Sequence, residues 1–231
     1  MFMDSQIEAL SDRILKQTDN WEARLDAVYK LQELFRNCED VSLCTANVWR
    51  TIKFPLQYTL KDLRSTIVRE ACKLLEIISE VTKDHMRPLL REIIPFMIEI
   101  LGSGNKVIQG YLDDCITHII QNSKFRQQLD EITQICKSSK SKLLRECCTE
   151  YIHQILIHWP PNYLAKDATL LRDTLRVSVS DASLSARESA RNAFILFNHI
   201  WPELGQQILK ELDSRSARTL SQRVAAAGDG P

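Results

Sequence analysis

The sequence predicts an all-α fold built as a stack of helical hairpins, and three observations carry that prediction. The first is a shortage of turn residues. Six glycines and seven prolines make 13 of 231 residues, with no glycine before Gly102, about half the ~12% usual in soluble proteins. A sheet-rich chain needs those residues at its hairpins. The second is apolar periodicity of helical spacing, recurring in segments of roughly 12 to 18 residues separated by short polar breaks. The third is that the segments repeat in pairs. With 44% hydrophobic and 26% charged residues, the bulk of the chain is globular and long enough for a sizeable core.

Ile7, Leu10, Ile14 and Leu15 mark the first helix, and Leu25, Val28, Leu31, Leu34 and Phe35 the second. Between them lies Thr18-Asp19-Asn20, where Asp19 or Asn20 can accept hydrogen bonds from the free N–H groups of the next helix. Helices then follow over 48–60, 67–81, 86–101, 107–120, 125–136, 143–159, 168–179 and 184–200. Pro160-Pro161 and Pro202 stop helical continuation, because proline lacks the N–H and clashes with the preceding turn. A weaker last pair covers 203–212 and 215–224, with the lower apolar content of a capping repeat. One domain over 1–224 and a frayed tail over 225–231 are expected.

Aligning the second helix of each pair brings Arg24, Arg69, Gln109, Arg145 and Arg187 into register, at steps of 45, 40, 36 and 42 residues. An Arg at this position can cross to the adjacent repeat. Small residues follow it at Ala27, Ala71, Cys147 or Cys148, and Ala190, and they let neighbouring helices approach. This period is that of HEAT or armadillo repeats, an α-solenoid of the ARM type.

The remaining chemistry is sparse. No nucleotide-cradling, zinc-protease or nucleophile-elbow motif occurs, Gly102-Ser103-Gly104 reads as a turn, and the adjacent Asp113-Asp114 diverge by about 100° on a helix. The chain reads as no enzyme and as needing no cofactor. Seven cysteines without a CxxC pair, and five histidines at no metal-ligand spacing from them, predict reduced, mostly buried thiols in a cytoplasmic protein and no metal site. No apolar run approaches the ~20 residues that span a bilayer.

Thirty basic residues balance thirty acidic ones, so net charge favours neither nucleic acid nor membrane as a partner. The distribution is uneven. Windows around the turns within pairs (18–24, 60–70, 102–109, 137–145, 180–191) hold eleven basic and six acidic residues, a balance of +5. Those around the turns between pairs (36–42, 80–87, 121–130, 158–167, 199–203) hold six and seven, a balance of −1. The densest cluster, Lys137 to Lys142, has lysines ahead of a helix start, where the macrodipole disfavours them. An acidic partner would offset that cost. Trp21 stands in a polar turn beside a helix start, either as half of a hydrophobic staple or as an exposed interface anchor. Trp49, Trp159 and Trp201 read as core.

The ordered blocks Asn20-Trp21-Glu22-Ala23-Arg24, Lys61 to Cys72, Leu144 to Tyr151, and Asp181 with Ala186 to Arg191 together resemble a TOG domain of the CLASP family, in particular its second TOG-type domain. The resemblance covers about residues 5 to 220. It implies a paddle of six repeats whose within-pair turns meet the tubulin dimer or the microtubule lattice or end. It further implies a monomeric domain of a larger cytoskeletal protein that promotes rescue or suppresses catastrophe, spindle microtubules included. Carried over residue by residue, it places Trp21 against tubulin, with Lys61 and Arg64, Lys106, Lys140 and Lys142 with Arg145, and Arg187 with Arg191 on acidic tubulin surface. Gln109 stands where other repeats have Arg, which makes the third turn depart from the pattern. The alternative is a HEAT-repeat scaffold that binds a protein partner through its concave helical face and is indifferent to turn mutations.

Overall fold

The structure, a computed structural model of the chain, describes residues 2–17 and 19–228, apart from the side chains of Phe2 and Gly228. Among the described residues it contains twelve α-helices of ten or more residues and no strand. They are α1 (Phe2–Lys16), α2 (Trp21–Arg36), α3 (Ala46–Leu60), α4 (Ser65–Thr82), α5 (Arg87–Ser103), α6 (Lys106–Asn122), α7 (Leu129–Ser138), α8 (Lys142–His158), α9 (Ala168–Ser178), α10 (Leu184–Ile200), α11 (Pro202–Glu211) and α12 (Ser214–Gly228). The chain divides into two compact units, Met1–Gln128 and Leu129–Pro231. Each holds three hairpins.

Helix starts follow the expected chemistry. Asn20 accepts from the Ala23 N–H, Asn105 from Val107 and Ile108, and Ser141 from Leu144, each satisfying orphan donors of a second helix. Prolines at the first turns of α5 and α11 need no N–H partner there. Pro95 lies inside α5 and frees the carbonyl of Arg91 four residues earlier. Gln128 Nε2 donates to that carbonyl at 3.4 Å, so the third hairpin's own exit segment satisfies it.

Within each unit the helices form two layers. First helices pack on first helices (α1 on α3, α3 on α5; α7 on α9, α9 on α11), and second helices pack on second helices (α2 on α4, α4 on α6; α8 on α10, α10 on α12). The small residues Ala27, Ala71 and Cys115 of one unit and Ala186, Ala190 and Ala193 of the other are fully buried in the second-helix layer, where they allow close approach. Between the layers of the first unit lie Phe35, Leu31, Ile52 and Ile67, and Tyr151, Phe194 and Phe197 fill the second. Each such side chain contributes about 1.5–3 kcal/mol of apolar burial. Trp49 and Trp159 are buried as expected, Trp49 stacked on Phe35 at 6.4 Å.

Several boundaries differ from the sequence reading. Residues 126–128 form a 3₁₀ turn and α7 starts only at Leu129, because Gln128 turns inward to serve Arg91. Lys137 lies in the last turn of α7, where a cation suits the dipole. Trp201 is half-buried, tilted against Phe197 at 5.1 Å. Helix α12 continues through Gly228, past the expected end at Val224, and residues 229–231 of the expected tail lie outside the described residues.

Candidate functional site

The turns within the hairpins are held by a recurrent clamp. Arg24 Nη1 donates to the carbonyl of Gln17 at 3.1 Å, Gln109 Nε2 to that of Leu101 at 3.1 Å, and Arg145 Nη1 to that of Ser139 at 2.8 Å. Arg187 Nη1 donates to the carbonyl of Asp181. In each case a side chain near the start of the second helix reaches back six to eight residues to the turn that precedes it. Gln109 therefore does the work that Arg does elsewhere. Arg69 is the exception, pairing with the adjacent Glu70 at 3.0 Å.

Two of these clamps also cross to the next hairpin. Arg24 pairs with Asp62 at 2.6 Å, with only 3% and 6% of their side chains exposed, and its guanidinium lies over the Tyr58 ring at 5.6 Å. Arg145 holds Asp181 through Nε at 2.8 Å and Nη2 at 3.3 Å. Burial pushes the Asp181 carboxyl up, but the Arg145 guanidinium and the Ser183 N–H outweigh it and hold the group below the usual carboxylate range.

With the first two turns joined, Arg64 lies over the Trp21 ring at 5.6 Å, and its backbone N–H donates to Asp62 Oδ1 at 2.9 Å. Trp21 is half-buried at the first position of α2. A hydrophobic staple joins N′ to N4, and those positions here are Asp19 and Arg24, so Trp21 is no part of one. Its ring is held by a cation from the next hairpin. Lys61 sits over Phe96 at 4.7 Å and 3.5 Å from Glu99, half its side chain exposed. Lys106 is exposed with no ion-pair partner among the described residues.

In the second unit Lys140 is likewise exposed and unpaired among the described residues, and Lys142 is exposed 3.6 Å from Glu146. Arg191 is half-buried and bonds Glu188 at 3.2 Å. Of the nine residues singled out by sequence, Trp21 is half-buried beneath Arg64. Lys61, Arg64, Lys106, Lys140 and Lys142 present cations to solvent, each at a turn of its own unit, whereas Arg145, Arg187 and Arg191 are tied to their own unit's carbonyls and carboxylates.

Three exposed apolar residues on the same turns escaped the sequence reading: Leu63 at 95%, Leu184 at 64% and Val107 at 54% exposure. Their signal was an apolar residue placed in a polar turn, as for Trp21. Six of the seven cysteines are buried and none is bridged, and burial pushes the Cys136 thiol up to about 12. No group of three His, Cys, Asp or Glu side chains able to hold a metal ion occurs among the described residues.

The family model described as CLASP N terminal matches residues 3–221. The chain belongs to the CLASP N-terminal family. A CLIP-associated protein of Arabidopsis thaliana is 26% identical over 218 residues, which are 94% of this chain and 15% of that protein. The chain therefore spans about a seventh of the length of such relatives. Among solved structures, the MAST/Orbit N-terminal domain is similar in fold at a TM-score of 0.71 and 11% identity, covering 96% of this chain and 97% of that one. A second, at TM-score 0.68 and 16% identity over 91% of this chain and 44% of that one, comes from microtubule polymerases with TOG domain arrays, in which it concerns tubulin recruitment and assembly. In this CLASP N-terminal domain exposed cations and exposed apolar residues occur together at the second turn, with Lys61, Leu63 and Arg64, and at the third, with Lys106 and Val107.

Proposed function

We propose that this CLASP N-terminal domain binds tubulin through the turns within its hairpins, as the second TOG-type domain of a longer microtubule regulator that promotes rescue or suppresses catastrophe. The observation that carries the reading is the Trp21–Arg64 stack: an interface-type aromatic held outside the core by Arg64, whose own turn also carries Lys61 and the almost fully exposed Leu63. Trp21 supplies buried area, and Lys61, Arg64, Lys106, Lys140 and Lys142 supply the charge that orients an acidic partner. Arg145, Arg187 and Arg191 fix the shape of the turns from behind. The domain acts by binding rather than catalysis, and it works on cytoplasmic and spindle microtubules.

The test is co-sedimentation with microtubules over a series of salt concentrations. The bound fraction falls as salt rises, because the contacts are between exposed charges. Binding that is absent at low salt, or indifferent to salt, contradicts the reading.

A further inference from the structure

The second unit holds a polar pocket of about 530 Å³ between α10 and the start of α12, lined by Arg187, Arg191, Arg215, Asp213 and Ser180 among others. Arg187 and Arg191 are one helical turn apart and share a face of α10. Arg215 comes from the first turn of α12. Among the described residues no carboxylate forms an ion pair with Arg187 or Arg215, and Arg187 gives one N–H to the carbonyl of Asp181. Asp213 is turned to another purpose: its Oδ1 accepts from the N–H groups of Arg215 and Ser216, both at 3.0 Å. Glu188 serves Arg191 and also Arg223. Arg191 Nε is buried with no hydrogen-bond partner.

Three guanidiniums line the pocket with one carboxylate, and Glu188 offsets Arg191, which leaves the lining net positive and the guanidiniums of Arg187 and Arg215 without an ion-pair partner among the described residues. A carboxylate carries one charge on two oxygens. A phosphomonoester carries about −1.5 to −2 on three strong acceptor oxygens, and guanidinium forks match its geometry. We infer that this pocket, independently of any tubulin contact, binds a phosphate dianion, either free or borne by a phosphorylated protein side chain.

Isothermal titration of the full chain with inorganic phosphate, O-phosphoserine and acetate, at matched ionic strength, tests the site. Saturable binding of a phosphate probe is expected, at least about tenfold tighter than acetate and strengthening from pH 5.5 to 7.5 as the dianion forms. Arg215→Gln, which removes no clamp of a turn, weakens it at least about tenfold, and Lys166→Gln leaves it unchanged. Tighter binding of O-phosphoserine identifies a modified protein side chain as the source, and tighter binding of inorganic phosphate identifies the free anion. Acetate binding as tightly as both, or an Arg215→Gln chain that binds phosphate as well as wild type, overturns the inference. Arg187→Gln, with its folding checked by circular dichroism, provides a second variant expected to lose the site.

Discussion

Arg24 and Asp62 meet at 2.6 Å with almost no exposure and so tie the first turn of the chain to the second. The pair also locates Arg64, whose N–H rests on the same carboxylate. Asp62→Ala leaves a buried guanidinium uncompensated and is expected to destabilise the domain by about 3–5 kcal/mol. The double change Arg24→Met with Asp62→Leu recovers much of that loss, since Arg24→Met removes the unpaired charge. Urea denaturation of the single and double variants measures both.

Two acidic groups of the second unit make its stability fall in acid. Burial pushes the Glu150 carboxyl up, but hydrogen bonds from His153, Ser189 and Gln154 outweigh it and lower it to about 2 from 4.5. Asp181 is held below 3.8 by Arg145 against the opposing effect of burial. Folded values below unfolded ones mean that these contributions are complete above about pH 4.5. They are lost as pH falls through that value toward 2. Denaturation midpoints between pH 2 and 6 are expected to drop in this window, and Arg145→Gln flattens the part below pH 4 that Asp181 supplies.

Gly205 and Gly110 respond oppositely to alanine. A Cβ at Gly205 would stand 2.2 Å from Asn198 Oδ1 and 2.9 Å from Asn198 Cβ, whereas at Gly110 nothing lies within 4 Å. Gly205→Ala is expected to cost about 1–3 kcal/mol by forcing α11 away from α10. Gly110→Ala is expected to gain about 0.5–1 kcal/mol as an exposed helix position. Thermal unfolding of the two variants reads the signs directly.

Lys83 occupies φ 47 and ψ −128 at the end of α4, a region that favours glycine. The conformation is imposed by the next hairpin: the Lys83 carbonyl accepts from Ser123 Oγ at 2.9 Å, and Asp84 Oδ1 accepts from the Lys124 N–H at 2.9 Å. Lys83→Gly relieves the strain and is expected to stabilise the domain by about 1 kcal/mol, measured as a rise in the urea midpoint.

Helix existence and pairing were legible because apolar spacing reports which face is buried, and cap chemistry narrowed the start of α2 to Asp19 or Asn20, of which Asn20 is the cap. The position shared by Arg24, Gln109, Arg145 and Arg187 was also visible as a repeat. Its use was not, because a carbonyl six to eight residues back carries no side-chain signature, and Asp62 and Asp181 announce their partners only once the turns are folded. The same holds for Trp21. Its composition signal was ambiguous until Arg64, 43 positions along the chain, was seen stacked on the ring. Leu63 was missed although it stands alone among polar turn residues, as Trp21 does, and Val107 because the first apolar residue of a periodic segment looks like part of its buried face.

In the proposed complex the turns, led by Trp21, meet tubulin. The most direct test is the affinity for microtubules of wild type, Trp21→Ala, and the pair Lys140→Glu with Lys142→Glu, beside Arg50→Glu on exposed α3 surface as a reference. Losing an aromatic anchor typically weakens an interface by 2 kcal/mol or more, so Trp21→Ala is expected to bind at least about tenfold more weakly. The lysine reversals are expected to do the same at low salt, with Arg50→Glu near wild type. Turn variants that bind as tightly as wild type would contradict the account.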